Sequence, residues 1–246
     1  MTSLKAILLD IEGTITTISF VHDVLFPFAK TNLRKFLNDH SDDEEVRVAL
    51  DLLKTELDRD LEFKNWLDAR KVDSSSLVDY IEWLIDVDRK SRGLKSLQGK
   101  IWEEGYRNGL LRAPLFPDVA PALMRWHDEG ISLAIFSSGS VLAQRLLLAH
   151  TNDGDLTHLI KYYFDTNTGM KTDSNSYRLI AQALSVATSN VLFISDVITE
   201  LDSARAAGMK TLLAVRPGNQ PIHTPSAHPS IHSLSEVNAT LTRVDE

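Results

Sequence analysis

The stretch AILLDIEGT, residues 6–14, decides the fold class. Its first four residues, from Ala6 to Leu9, are all apolar, and the run ends abruptly at Asp10 with Gly13 close behind. A short run that is apolar at every position predicts a strand buried on both faces, as in a parallel sheet. We therefore expect a strand up to Leu9 and a polar turn directly after it.

Three later segments repeat this pattern of an apolar run followed by polar residues. They are Leu133–Phe136, Val191–Ile194 and Thr211–Val215. Helix-like segments lie between and around them, at Ala120–Glu129, Val141–Ala149, Tyr177–Leu184 and Ile198–Ala207. This alternation predicts an α/β fold with a doubly wound parallel sheet, in which ligands bind beyond the carboxyl ends of the strands.

Residues 20–111 interrupt the alternation, because they contain no convincing buried strand. Apolar residues recur there at helical spacing, and one predicted helix face consists of Leu50, Leu53, Leu57 and Leu61. We expect a helical insertion at residues 20–111 within a core formed by residues 1–19 and 112–246.

Composition limits the function classes. With 246 residues, of which 43% are hydrophobic, the chain can bury a sizeable core. A net charge of −8 argues against a nucleic-acid partner, and the early apolar run is too short for a signal peptide or a membrane span. The absence of cysteine excludes cysteine chemistry and favours a reducing compartment. We expect a monomer that acts on a small polar substrate without a membrane partner, in the cytoplasm or also in the nucleus of a eukaryote.

Asp10 and Glu12 stand two residues apart at the end of the first predicted strand. If the chain is still extended there, both carboxylates lean towards one face. One carboxylate can then act as a nucleophile or metal ligand while the other moves protons. Taken alone, the pair is better explained as solvated acids at a turn that ends the strand.

Asp196 follows another predicted strand, and the ends of neighbouring parallel strands converge. Asp10, Glu12 and Asp196 could therefore build an oxygen-rich site that suits Mg²⁺. The alternative for Asp196 is a helix N-cap. We give Glu200, four residues on, a supporting role, and its simpler explanation is an interaction with the helix dipole.

Two further segments have residues that suit an anion. Ser137 and Ser138 lie between a predicted strand and a helix, where hydroxyls and free backbone N–H groups can bind phosphate. Lys171, in a loop before a helix, could neutralise a phosphate or a carboxylate. The alternatives are helix capping for the serines and simple solvation for the lysine.

The order of an acidic pair, a serine-rich turn, a lysine and a late aspartate resembles the haloacid dehalogenase superfamily. A narrower resemblance, to the enolase-phosphatase family of methionine salvage, rests on DIEGT, SFVHDVLFPFA, FSSGS, TGMKTDSNSY, ISDV and RPGN. It spans most of the chain. It implies a haloacid dehalogenase-like core with an inserted helical cap, and the activity of a phosphoric monoester hydrolase.

The resemblance also implies roles for the candidate residues. Asp10 would be the nucleophile that forms an aspartyl-phosphate, and Glu12 would be the general acid and base. Mg²⁺ would be held by Asp10, Asp196 and Glu12, the last through its backbone carbonyl. The substrate-binding residues would be Ser137, Ser138 and Lys171.

The substrate that the resemblance implies is 2,3-diketo-5-methylthiopentyl-1-phosphate, which is enolised and then dephosphorylated to an acireductone. Two other functions stay open on the sequence. One is a phosphatase of the same superfamily that acts on another small phosphate, and the other is a catalytically silent binding protein on this fold. A dehalogenase is disfavoured, because dehalogenases of the superfamily lack the second acid that Glu12 provides.

Overall fold

The computed structural model describes residues 4–70, 72, 76–221 and 226–244. Across these residues the strands form one six-stranded sheet with the order β3-β2-β1-β4-β5-β6, and every neighbouring pair is parallel. The strands are β1 (Ala6–Leu9), β2 (Ser132–Phe136), β3 (Tyr162–Phe164), β4 (Val191–Ser195), β5 (Lys210–Ala214) and β6 (Ser230–Ile231). The predicted doubly wound α/β class is confirmed.

Helices lie between successive strands from β1 to β5, and several of them occupy the long segment after β1. The α-helices are α1 (Phe26–Asp39), α2 (Glu44–Leu57), α3 (Leu61–Ala69), α4 (Leu77–Asp86), α5 (Arg92–Arg107), α6 (Val119–Asp128), α7 (Val141–Ala149), α8 (Ser174–Leu184), α9 (Ile198–Ala206) and α10 (Val237–Val244). A π-helical turn, Phe20–Leu25, precedes α1.

The first predicted strand is the centre of the sheet. All four residues of β1 are fully buried, because β2 and β4 pair with its two edges and apolar side chains cover both faces. In this strand order the chain reverses its direction of travel across the sheet between β1 and β4, and that point is where ligands bind in open α/β sheets. The residues after Leu9 and Ile194 therefore lie where a ligand of this fold is expected to bind.

The chain divides into two compact units. One contains the chain up to Val21 and again from Arg112 onward, and the other is His22–Leu111. The second unit is helical in its described residues and begins two residues after the expected boundary at 20. Its interior includes the aromatic side chains of Phe63, Tyr80 and Trp83, which are nearly or fully buried.

The predicted leucine face in this unit is wrong at its end. α2 stops at Leu57, and the carboxylate of Asp60 caps a new helix by accepting a hydrogen bond from the Phe63 amide at 3.0 Å. Leu61 is 71% exposed in the first turn of that helix. The leucine spacing predicts one continuous helix, but the N-cap residue Asp60 starts a second helix before Leu61.

Candidate active site

The loop after β1 turns sharply as soon as the strand ends. Asp10 is still tied to the sheet, since its amide donates to the Ile194 carbonyl at 3.0 Å. The amides of Thr14, Ile15 and Thr16 then all donate to the carbonyl of Ile11, at 2.9–3.2 Å. The chain is no longer extended beyond Asp10, so the alternation of side chains along a strand does not set the direction of the half-buried Glu12. The extended chain that would make both carboxylates lean towards one face is therefore absent.

Lys171 lies in the same buried cluster as Asp10. Its ammonium is 2.7 Å from Asp10 Oδ1 and 2.6 Å from Glu200 Oε2, and its side chain is 7% exposed. The Tyr177 hydroxyl, from α8, donates to the Lys171 carbonyl at 2.7 Å and fixes the backbone there. The lysine therefore joins two carboxylates from different strand ends in a site that excludes most water.

Ser195, the last residue of β4, completes the contacts between these acids. Its hydroxyl lies 3.3 Å from Asp10 Oδ2 and 3.0 Å from Glu200 Oε2, and it accepts a hydrogen bond from the Val197 amide. A hydroxyl has one proton, so it can donate to only one of the two carboxylates at a time. The shorter contact favours Glu200.

The acids outnumber the cation, and their proton affinities reflect this. Burial raises the pKa of Asp196 to about 7, with a further contribution from the negative charges of Asp10 and Glu200. Burial also raises the pKa of Glu200 to about 7, and Asp10 adds to it, although Lys171 opposes the shift. Lys171 stays protonated, because its two carboxylate partners outweigh the burial that lowers its pKa, and the net shift is upward.

Asp196 lies directly against the loop. Gly13 has φ +66°, and a Cβ atom on it would be 2.3 Å from Asp196 Oδ2. Only glycine accommodates both the left-handed backbone and this close approach. The N-cap alternative for Asp196 is wrong, since the residue that precedes α9 is Val197 and no side chain caps that helix.

The serine-rich turn follows β2, the strand beside β1. Ser137 is buried, and its hydroxyl accepts from the Gly139 amide at 3.1 Å. Ser140 is the N-cap of α7, so capping explains that serine and leaves Ser138 with no assigned structural role. The Lys171 ammonium is 5.9 Å from the ring centroid of Phe136, the last residue of β2, which brings this strand end near the buried cluster.

Two members of the cluster were underestimated or missed in the sequence. Glu200 was given only a supporting role, but it forms the shortest ion pair with Lys171. The signal that could have identified it is its position in the first turn of α9, where its side chain can reach back to the end of β4. Ser195 gave no signal, because a serine at a strand end has many ordinary explanations.

The oxygen-rich donor set fits a divalent cation. In the described ranges, no three side chains of His, Cys, Asp or Glu converge as a metal-binding group. The Mg²⁺ ligands expected from the sequence do not need three such side chains, because they are two carboxylates and the backbone carbonyl of Glu12. The negative charges of Asp10 and Glu200, which add to the effect of burial in raising the pKa of Asp196, are an excess of charge that a bound cation would neutralise.

The fold and this cluster define a hydrolase of the haloacid dehalogenase-like class, whose family model matches residues 4–208. The chain is 47% identical to Enolase-phosphatase E1 of Synechococcus elongatus over 96% of its own length and 98% of that protein, and 43% identical to Enolase-phosphatase E1 of Drosophila mojavensis over 93% of each chain. The crystal structure of the Unknown transcript 4 protein of Saccharomyces cerevisiae superposes with a TM-score of 0.74 at 33% identity, and the match covers 94% of this chain and 98% of that one. The chain belongs to the enolase-phosphatase E1 family.

Membership of this family confirms the predicted phosphatase class and its place in methionine salvage. Phosphatases of this superfamily generally need a divalent metal, and they act on small phosphate compounds. In the part of the chain that the structure describes, no helix is long and apolar enough to cross a membrane.

Proposed function

We propose that the chain converts 2,3-diketo-5-methylthiopentyl-1-phosphate to the acireductone 1,2-dihydroxy-3-keto-5-methylthiopentene and phosphate. The observation that carries this proposal is the buried contact of Asp10 with Lys171 at the switch point of the sheet. A carboxylate beside an ammonium in a water-poor pocket is suited to accept and hold a phosphoryl group.

Asp10 is the proposed nucleophile. Lys171 holds Oδ1 at 2.7 Å, which orients the carboxylate and offsets its charge while a second anion approaches. Attack forms a bond from an Asp10 oxygen to phosphorus and breaks the bond from phosphorus to the substrate's ester oxygen. Water then cleaves the aspartyl-phosphate and restores the free carboxylate.

Glu12 is the proposed acid and base for both halves of that reaction. It gives a proton to the leaving ester oxygen and later takes one from the attacking water. Glu12 follows the nucleophile by two residues, in a tight turn around the Ile11 carbonyl that is anchored to the sheet through the Asp10 amide.

Ser137, Ser138 and Lys171 are the proposed phosphate-binding residues. The serines precede α7, where free backbone N–H groups favour an anion. Mg²⁺ is the proposed metal, with Asp10, Asp196 and the Glu12 carbonyl as its ligands. When bound, it offsets negative charge on the carboxylates and phosphate and favours the enolate of the diketone.

The proposed organisation is a catalytic core of residues 1–19 and 112–246 with an inserted helical cap at 20–111. We also propose that the enzyme works as a cytoplasmic monomer. The acidic net charge of −8 supports a small-molecule substrate over a nucleic acid.

Incubation of the purified enzyme with the diketone phosphate and Mg²⁺ tests this function. Acireductone absorbance and released phosphate should rise together, and Asp10→Asn should abolish phosphate release while the fold is retained. Phosphoglycolate and sugar phosphates serve as comparison substrates. Faster turnover of one of them, with no acireductone formed from the diketone, would replace this proposal with another phosphatase of the superfamily.

A further inference from the structure

Three consecutive carbonyls of the loop after Asp10 are held by donors from other parts of the core. Asn219 Nδ2 donates to the Gly13 carbonyl at 3.0 Å, Arg216 Nε donates to the Thr14 carbonyl at 3.1 Å, and the Phe116 amide donates to the Ile15 carbonyl at 3.1 Å. Two of these donors are side chains of one short turn after β5, residues 216–219. We call this segment the 216–219 turn.

Arg216 is held rigidly enough to act as a fixed support. It is 5% exposed, and its Nη1 and Nη2 donate to the two oxygens of Asp118 at 3.0 and 2.8 Å. Nη1 also donates to the His232 carbonyl at 2.8 Å, and Asp118 accepts from the Leu234 amide at 2.6 Å. Because Asp118 and the His232 carbonyl hold the planar guanidinium, the Nε–H bond is fixed in one direction, towards the Thr14 carbonyl.

Asn219, like Arg216, contacts its neighbours as a hydrogen-bond donor. Its Nδ2 also donates to the Ala214 carbonyl at 3.2 Å, while its buried Oδ1 accepts no hydrogen bond from the described residues. That oxygen lies 3.0 Å from the position of a Cβ on Gly13. The two hydrogen bonds that this amide donates both go to backbone carbonyls, one in the loop and one at the end of β5, so the side chain ties the loop to the sheet.

We propose that Arg216 and Asn219 are positioning residues that set the backbone of the catalytic loop, and with it Glu12. Glu12 lies between Asp10, which is bonded to β4 through its amide, and Gly13, whose carbonyl is bonded to Asn219. The 216–219 turn therefore fixes the backbone on the C-terminal side of Glu12, and β4 fixes it on the N-terminal side. This inference rests on the proposed function, because it gives Glu12 the acid and base role.

The first experiment compares Asn219→Ala and Arg216→Lys with the wild type. Arg216→Lys keeps a positive charge for Asp118 but loses the fixed Nε donor to Thr14. We expect both variants to lower kcat by about tenfold or more and to change KM by less than about threefold, since misplacement of a reacting group acts on the chemical step. Arg216→Met, which removes the charge as well, should lose thermal stability that Arg216→Lys retains.

Hydrogen–deuterium exchange of the peptide that spans residues 10–17 gives a readout that does not depend on turnover. The amides of Thr14, Ile15 and Thr16 are bonded to the Ile11 carbonyl, and they should exchange faster in both variants. The matched control is Arg178→Lys, because Arg178 also donates to a backbone carbonyl, that of Ala206 at 3.2 Å, but does not contact the loop. It should leave kcat and the exchange of residues 10–17 unchanged.

Unchanged exchange in the loop together with unchanged kcat in Asn219→Ala and Arg216→Lys would overturn the proposal. So would a fall in kcat that merely follows the unfolded fraction of each variant, or a full return of kcat in Arg216→Lys. If the wild type releases no phosphate from the diketone substrate, the proposed function fails. The exchange measurement then still decides whether the turn holds the loop.

Discussion

Replacement of Lys171 by methionine tests the buried charge cluster most directly. Methionine has a similar length and no charge, so the change removes the ammonium without opening a large cavity. Asp10 and Glu200 then lose the partner that lies 2.7 and 2.6 Å from them. Loss of one member of a buried ion pair costs about 3–5 kcal/mol, because the remaining charge stays buried without compensation.

The cost should depend on pH in a defined direction. The pKa of Glu200 is already about 7 because of burial and of Asp10, and it rises further when Lys171 no longer opposes the shift. Since the folded state then binds this proton more tightly than the unfolded state, the destabilisation grows as pH rises through the neutral range. In metal-free protein we expect a loss of about 1–2 kcal/mol near about pH 5.5 and about 3–5 kcal/mol near about pH 8.

Urea unfolding in the presence of a chelator, at both pH values, measures these free energies. Phosphate release at the higher pH with Mg²⁺ should fall by about 100-fold or more in kcat/KM, as for loss of a preorganised charge-stabilising group. Lys100→Met is the matched control, because Lys100 also contacts two carboxylates, Asp43 and Glu45, but in a more exposed setting. Such a pair contributes about 0–1 kcal/mol.

Two results would refute the reasoning. One is the same destabilisation at both pH values, which would mean that the charge of Glu200 does not matter. The other is a loss in Lys171→Met no larger than in Lys100→Met, which would mean that the cluster is effectively solvated.

Three further changes probe other parts of the site. Glu12→Gln should slow phosphate release and let aspartyl-phosphate accumulate, because no base activates the water. Rapid-quench mass spectrometry measures both, and a wild-type rate with a wild-type phosphorylated fraction would contradict this role. Gly13→Ala should lower the free energy of unfolding by about 1–2 kcal/mol from the left-handed backbone alone, and it should weaken Mg²⁺ binding by displacing Asp196. The control is Gly130→Ala, at φ +76° with no atom within 4 Å of the new Cβ. In calorimetry it should show only the backbone contribution. The pKa of Asp196, about 7 in the folded chain, lies above its ordinary value of 3.8, so metal-free wild type should lose stability as pH rises from about 4 to about 8. Asp196→Asn should remove about 1–4 kcal/mol of that loss, and parallel pH profiles for the two proteins would disprove the assignment.

The buried strands could be predicted from the sequence because their signal is local. β1 matches the apolar run at Ala6–Leu9 residue for residue, and β2, β4 and β5 lie within one residue of expectation at each end. β3 and β6 escaped prediction because they have only three and two residues, YYF and SI, which are too few to form a recognisable strand pattern. In such segments pairing to a neighbour, and not composition, decides the conformation.

The site was harder to predict in its supporting contacts than in its acids. Asp10 and Asp196 follow strong strands, so their positions could be inferred from topology. The hydrogen bond from Arg216 to Thr14 joins residues far apart in the chain, and no local pattern announces it. The RPGN segment contributes to the family resemblance, but only the folded structure brings Arg216 and Asn219 against the loop after β1.

The position of β1 in the sheet has a consequence for how the chain folds during synthesis. β1 leaves the ribosome before the other strands of the sheet, but its partners begin only at Ser132 and Val191, after the helical insertion. Until then its four apolar residues have no strand to pair with, whereas the helices of His22–Leu111 can form from nearby contacts. The nascent chain thus carries an unpaired, aggregation-prone strand on the N-terminal side of an already folded helical unit, and closure of the sheet around β1 is a late step.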